Sequence, residues 1–511
     1  MKRVYNQSPL GTIETLVRSD RSSKVLDALV FIVIKALAIA CLLLSGAFSA
    51  AAFDLPEIGD PSGAVLSPAQ ERRLGAAFFR EIRRQATLID DPEIQQYLQT
   101  LGASLVAQSD DRGKAFNFFI VQHPTINAFA APGGYIGVHT GLILNSQNES
   151  ELAGVLAHEV AHVTQRHMAR TFERAGQLSI PVAAAMLGAL LLGTQSPQAG
   201  QAALAAVVAG STQYQIDFTR ANEQEADRVG IQFLARAGFD PAGMPSFFQR
   251  LQLANRLTDP KHIPEFLRTH PVTVSRIADS RNRVAQYPPI THTDSLSYHL
   301  MRANLAVATA QEPAEALRYY EESLRSGEFY REDVARYGYA LALTAIGEYG
   351  KARVQIEALA RSPEQDLAYA LAAARLAIAD GRAAEGLSLY DKALSLYPDS
   401  KPVILAYVEA LLNANKTRKA RELLQLYAQR HDPTVTYYAL LARAEGQAGS
   451  NVESHLAQAE FYYLNGETEL AKNQLDIASR EASATRYQLE RIAARLEILL
   501  KELEEEKQRR S

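Results

Sequence analysis

"SQNESELAGVLAHEVAHVTQRHMARTFERAG", residues 146–176, carries apolar side chains at helical spacing. Ser146 and Glu149 stand at the interval of a capping box and Gly176 is a stop signal, so the spacing predicts one helix over the whole stretch. On that helix His158 and His162, four apart, project from one face about a turn apart, and both imidazoles can reach a single Zn²⁺. Glu159 follows the first of them at once. Its carboxylate therefore lies beside such a metal without ligating it, where it can take a proton from an attacking water. A plain helix carrying two surface histidines and a glutamate would spell the same letters, so the neighbouring segments must decide.

A catalytic zinc takes three protein ligands and keeps a fourth position open, so the motif demands a further donor. His167 is the nearest candidate, but nine residues beyond His158 it falls on the opposite side of a continuous helix. The G-x-x-H continuation of the metzincins is also missing, and His167 is expected to be structural. Downstream, "TRANEQEADRVGIQFLARAGFDP" (219–241) is a second helical stretch with Asn222 as a candidate cap. Its Glu223 and Asp227 are four apart and share a face. Glu223 can ligate the metal while Asp227 accepts a hydrogen bond from a ligand imidazole and sets its tautomer; Glu225 points elsewhere.

"HEVAH" (158–162) and "NEQEAD" (222–227), preceded by "NAFAAPGGYIGV" (127–138) and trailed by "THPVTVSR" (269–276), together resemble the M48 family of zinc metalloproteases. The likeness runs from about Leu66 to about Ser479 and extends to periplasmic members with added tetratricopeptide repeats. It implies a zinc-dependent endopeptidase with one Zn²⁺ on His158, His162 and Glu223, Glu159 as general base, and Asp227 supporting a ligand. It also implies a role in quality control and assembly of outer-membrane β-barrel proteins, with misfolded or stalled outer-membrane proteins and the β-barrel assembly machinery as partners. The rival expectation is a repeat-based chaperone or assembly factor whose protease activity is secondary or repressed. His270, in "RTHPVTVSR", either sits near the metal, as oxyanion stabiliser or as occupant of the open position at rest, or is a loop histidine stiffened by Pro271. Arg276 anchors that loop or a catalytic group. The strand "YIGVHT" (135–140), with Asn127, Ala128 and Phe129 nearby, suggests an edge that holds an extended peptide by main-chain hydrogen bonds.

The remaining chain sets the organisation. At 511 residues two or three domains are expected. A net charge of −4 with mixed charges offers no basic field, which excludes nucleic-acid binding. The single cysteine, Cys41, lies in an apolar run after Lys2, Arg3, Arg18, Arg21 and Lys24, and Ala50–Ala52 end the run like a cleavage site. Export to the periplasm with loss of residues 1–52 is expected, the alternative being a retained inner-membrane anchor over 26–48. Two apolar stretches on either side of 194–198 are too short to span a bilayer and read as a buried or surface-associated helical hairpin, with peripheral membrane contact as the alternative. Gly347, Gly381, Asn415 and Gly449 recur every 34 residues, and Tyr390, Ala393 and Pro398 follow Gly381 at tetratricopeptide offsets.

The expected fold is α+β: a mainly helical zincin-type (gluzincin) protease domain with a small β-sheet over 53–288, then an all-α repeat solenoid over 295–485. Residues 486–511 read as a charged helical tail.

Overall fold

In this computed structural model residues 67–111, 113–168, 170, 212–257 and 265–510 are described. The expected export signal or anchor, with Cys41, and the two apolar stretches near 194–198 lie outside them. Among the described residues no helix is long and apolar enough to cross a membrane.

The N-terminal part follows its start and stop signals. Helix α1 (Pro68–Gln85) opens on a complete capping box between Ser67 and Gln70, and α2 (Pro92–Val106) on the side chain of Asp91. Strands β1 (Asn117–Val121), β2 (Ala128–Ala131) and β3 (Tyr135–His139) form one sheet in the order β1-β3-β2. β1 runs parallel to β3 and β2 antiparallel to it, so β2 is an edge strand. After α3 (Thr140–Asn145) comes α4 (Glu149–Thr164), whose Leu152, Val155, Leu156 and Val160 are wholly buried among α2, the sheet, α5 (Thr212–Arg236) and α6 (Gly243–Leu257). Each such aliphatic side chain contributes about 1.5–3 kcal/mol by leaving water, so this helix is the spine of the domain. Small residues let α5 lie close: a Cβ on Gly230 would stand 3.1 Å from the Ala157 carbonyl oxygen. Two short helices follow, α7 (Glu265–Thr269) and α8 (Val274–Val284).

Three local expectations are corrected. The cap of α4 is Asn148, whose side chain accepts from the Glu151 N–H, because Ser146 is occupied by the Ile143 carbonyl and the Tyr298 hydroxyl. Glu149 is likewise taken, accepting from the Tyr97 hydroxyl and from both the N–H and the hydroxyl of Ser295. Second, α4 stops at Thr164 rather than at Gly176: Arg166 adopts φ 54° and its guanidinium lies 3.2 Å from Glu71 of α1. Third, Asn222 is inside α5, which begins at Thr212.

From Leu296 the chain is helical pairs: α9 (Leu296–Thr309), α10 (Pro313–Ser326), α11 (Glu332–Ala345), α12 (Tyr349–Leu359), α13 (Leu367–Ala379), α14 (Ala383–Leu396), α15 (Lys401–Asn413), α16 (Thr417–Arg430), α17 (Val435–Gln447), α18 (Asn451–Leu464), α19 (Thr468–Arg480) and α20 (Arg486–Arg510). The 34-residue period has a simple origin. Gly347, Gly381, Asn415 and Gly449 each take a positive φ (81°, 77°, 55° and 74°) at the turn inside a pair, a conformation that glycine and asparagine adopt at least cost. The solenoid packs on the N-terminal part at both ends. Arg302 of α9 donates to the Leu144 carbonyl, while Arg80 of α1 lies over the Tyr463 ring at 4.5 Å and 3.4 Å from Glu502. The tail is no free charged helix, since Ile492, Leu499 and Leu503 are buried and Arg495 pairs with Glu460.

Candidate metal centre

Helices α4 and α5 carry the first three predicted donors to one point, and the residue following α7 carries a fourth. His158, His162, Glu223 and His270 each offer an atom within 4.8 Å of the others. His158 Nε2 lies 3.1 Å from His162 Nε2, 3.4 Å from Glu223 and 3.4 Å from His270 Nδ1. His162 Nε2 is 3.4 Å, and His270 Nδ1 3.1 Å, from Glu223 Oε1. His270 reaches the centre from the bend that follows α7: it is buried, with Phe266 stacked on its ring at 4.8 Å. Glu159 is fully buried beside the donors, with His270 Nε2 3.5 Å from its Oε1. Among the described residues no side chain donates a hydrogen bond to either of its carboxylate oxygens.

A further tier of charge surrounds the donors. Asp227 Oδ1 stands 3.0 Å from His158 Nδ1, leaving the opposite ring nitrogen to face the centre. Arg276 grips Asp227 with two hydrogen bonds of 2.8 Å, reaches Glu223 at 2.9 Å and donates to the Pro271 carbonyl. It therefore ties the His270 loop to α5, an arrangement visible in the sequence only as an arginine six residues after His270.

The electrostatics separate the roles. Burial lowers the pKa of His158, but Asp227 and Glu223 overcome it and carry the group up to about 9. Burial wins at His162, which falls to about 3. Burial raises Glu159 above the usual carboxylate range. It would raise Glu223 as well, yet His270, His158 and His162 hold that group well below its ordinary value. Asp227 is also lowered, burial being overridden by Arg276 and His158.

His167 is not one of the four donors, in line with expectation, but it is not remote either. The break after Thr164 turns its ring back to 4.9 Å from that of His162. Glu225 points away from the centre and meets His167 instead. Along β2, Phe129 packs inward on Phe78 and Phe119, and Ala128 is buried in the main core. Among the described residues no strand pairs with the outer side of β2, so what it offers there is backbone.

Two imidazoles and a carboxylate converging beside a fully buried glutamate, under the edge of a small sheet, define a metallopeptidase. Residues 92–284 match Peptidase family M48 and residues 377–444 a tetratricopeptide repeat family. The chain is 35% identical over 455 residues to the beta-barrel assembly-enhancing protease of Escherichia coli K12, covering 89% of this chain and 92% of that one. It is 37% identical over 412 residues to the putative beta-barrel assembly-enhancing protease of Vibrio cholerae, covering 80% and 85%. A mitochondrial metalloendopeptidase OMA1 of Arabidopsis thaliana is 29% identical over 188 residues, or 37% of this chain and 36% of that one. The chain belongs to the M48 metallopeptidases, in the group of the beta-barrel assembly-enhancing proteases.

Proposed function

We propose that His158, His162 and Glu223 hold one Zn²⁺, that His270 supplies a fourth donor at rest, and that Glu159 is the general base of peptide-bond hydrolysis. The observation that carries this reading is the spacing of the donors. A tetrahedron with centre-to-donor distances of about 2.0–2.1 Å has edges of about 3.3–3.4 Å. Five of the six donor pairs stand 3.1–3.4 Å apart, close to that figure, with both Glu223 oxygens facing the centre, and all four donors lie within 4.8 Å of one another. Zinc there supplies Lewis acidity toward the scissile carbonyl and the attacking water.

The protein's own residues do the rest. Asp227, clamped by Arg276, orients His158. Glu159, raised by burial, is suited to take the water proton during attack and return it to the leaving amine. With four donors the site is closed, so His270 withdraws when a peptide binds. The free backbone of β2 accepts an extended chain by strand addition, a mode that suits unfolded β-barrel precursors because they are built of strand-forming segments. On this basis we assign the enzyme to the bacterial periplasm, in quality control and assembly of outer-membrane β-barrel proteins, with stalled precursors and the assembly machinery as partners of the repeats.

Glu159→Gln tests the assignment. Cleavage of an unfolded barrel protein should fall about 10²–10⁴-fold while bound zinc, measured by metal analysis, is retained. Undiminished cleavage would refute it. The same variant weighs the repeat-based alternative: cells carrying it as defective as deletion cells assign the role to proteolysis, whereas full function assigns it to the repeats.

A further inference from the structure

Behind His162, on the side away from the other donors, three more side chains form a line. His162 turns Nε2 to the centre, and its Nδ1 lies 2.9 Å from His167 Nδ1. His167 Nε2 lies 3.1 Å from Glu225 Oε2, and Arg170 holds the same oxygen at 3.2 Å. The proton positions follow from chemistry. A carboxylate only accepts, so His167 carries its proton on Nε2 and leaves Nδ1 bare; His162 must then donate from Nδ1, which keeps its Nε2 lone pair free for a metal. His167 is buried, whereas Glu225 is partly exposed, so the line runs from the centre to the surface. It exists only because the helix breaks. Extended through Arg166, α4 would carry His167 away from His162; the left-handed turn at Arg166, anchored to Glu71, returns it.

We propose that His167 is a positioning residue for the metal centre, fixing the tautomer and ring plane of His162 with Glu225 as its anchor. This does for His162 what Asp227 does for His158, and it rests on the reading of His162 as a zinc ligand. Partners of this kind are worth about 10–100-fold in metal affinity.

The test is zinc affinity of the purified full chain, measured by competition with a chelator, with the visible spectrum of the cobalt-loaded protein as a second readout. His167→Leu should weaken zinc by about 10–100-fold and shift the cobalt spectrum. His167→Asn, which places an amide oxygen near the position of Nδ1, should recover most of the affinity. Glu225→Ala, a change at a partly exposed side chain that does not threaten folding, should weaken zinc in the same direction by less. Unchanged affinity in both His167→Leu and Glu225→Ala overturns the proposal, as does failure of His167→Asn to improve on His167→Leu. If His167→Leu does not fold, unchanged affinity in Glu225→Ala alone is sufficient to reject it. Should wild type and His162→Ala bind zinc equally, the ligand assignment itself fails, an outcome distinct from these.

Discussion

Replacing Arg276 with methionine removes the arginine that ties Asp227 and Glu223 together. Its side chain is only 4% exposed, and the guanidinium makes two 2.8 Å hydrogen bonds to Asp227 and one 2.9 Å ion pair to Glu223. Both carboxylates are themselves buried, so methionine, which fits the volume, strands them against low-dielectric surroundings. Breaking a buried pair from one side costs about 3–5 kcal/mol, and two stranded carboxylates put this site at the upper end. The loss should be largest in metal-free protein and smaller with excess zinc, whose charge compensates Glu223. Arg276→Lys restores the charge without the two-pronged fork and should recover only part. Denaturant unfolding followed by circular dichroism is the assay, since the chain has no tryptophan for fluorescence. In the double variant with Asp227→Asn, coupling of up to about 3 kcal/mol is expected, because the second change removes the stranded charge. A loss below about 1 kcal/mol, the size for an exposed ion pair, would refute the reasoning.

His270→Ala should raise proteolysis by opening the fourth position; a fall in turnover with zinc retained would instead make His270 a stabiliser of the oxyanion. Alanine at Gly466 (φ 78°) and at Gly381 (φ 77°) meets the same backbone strain, but only at Gly466 would its Cβ meet another atom, the Arg80 carbonyl oxygen at 2.5 Å. Gly466→Ala should therefore destabilise by about 1–3 kcal/mol more than Gly381→Ala, and equal denaturation midpoints would show that the α1–solenoid contact carries no weight. His139 is buried and its pKa is pushed from 6.5 down to about 4, so as pH falls the unfolded chain takes up the proton first. Its contribution is complete above pH 6.5 and is lost between there and pH 4, roughly 3 kcal/mol in all; chelated His139→Gln protein should lack that part of the acid loss.

Much of the centre was legible in the sequence because helical spacing is local. Four residues place two side chains on one face whatever the rest of the chain does, so His158 with His162 and Glu223 with Asp227 could be paired by counting. The repeats were legible for a similar reason, since a left-handed turn residue marks every pair. Placing the cap at Ser146 failed because its hydroxyl is claimed by Tyr298, 152 residues away. Extending the helix to Gly176 failed because Arg166 is held by Glu71, 95 residues earlier.

The sequence by itself determined the types of the candidate donors, the glutamate beside them and the helical period of both halves of the chain, all set by backbone geometry over a few residues. Only the tertiary structure decided that His270 joins the donors, that Arg276 binds two carboxylates and that His167 stands behind His162. Each of those is a choice of partner across tens of residues, made by packing and burial rather than by spacing.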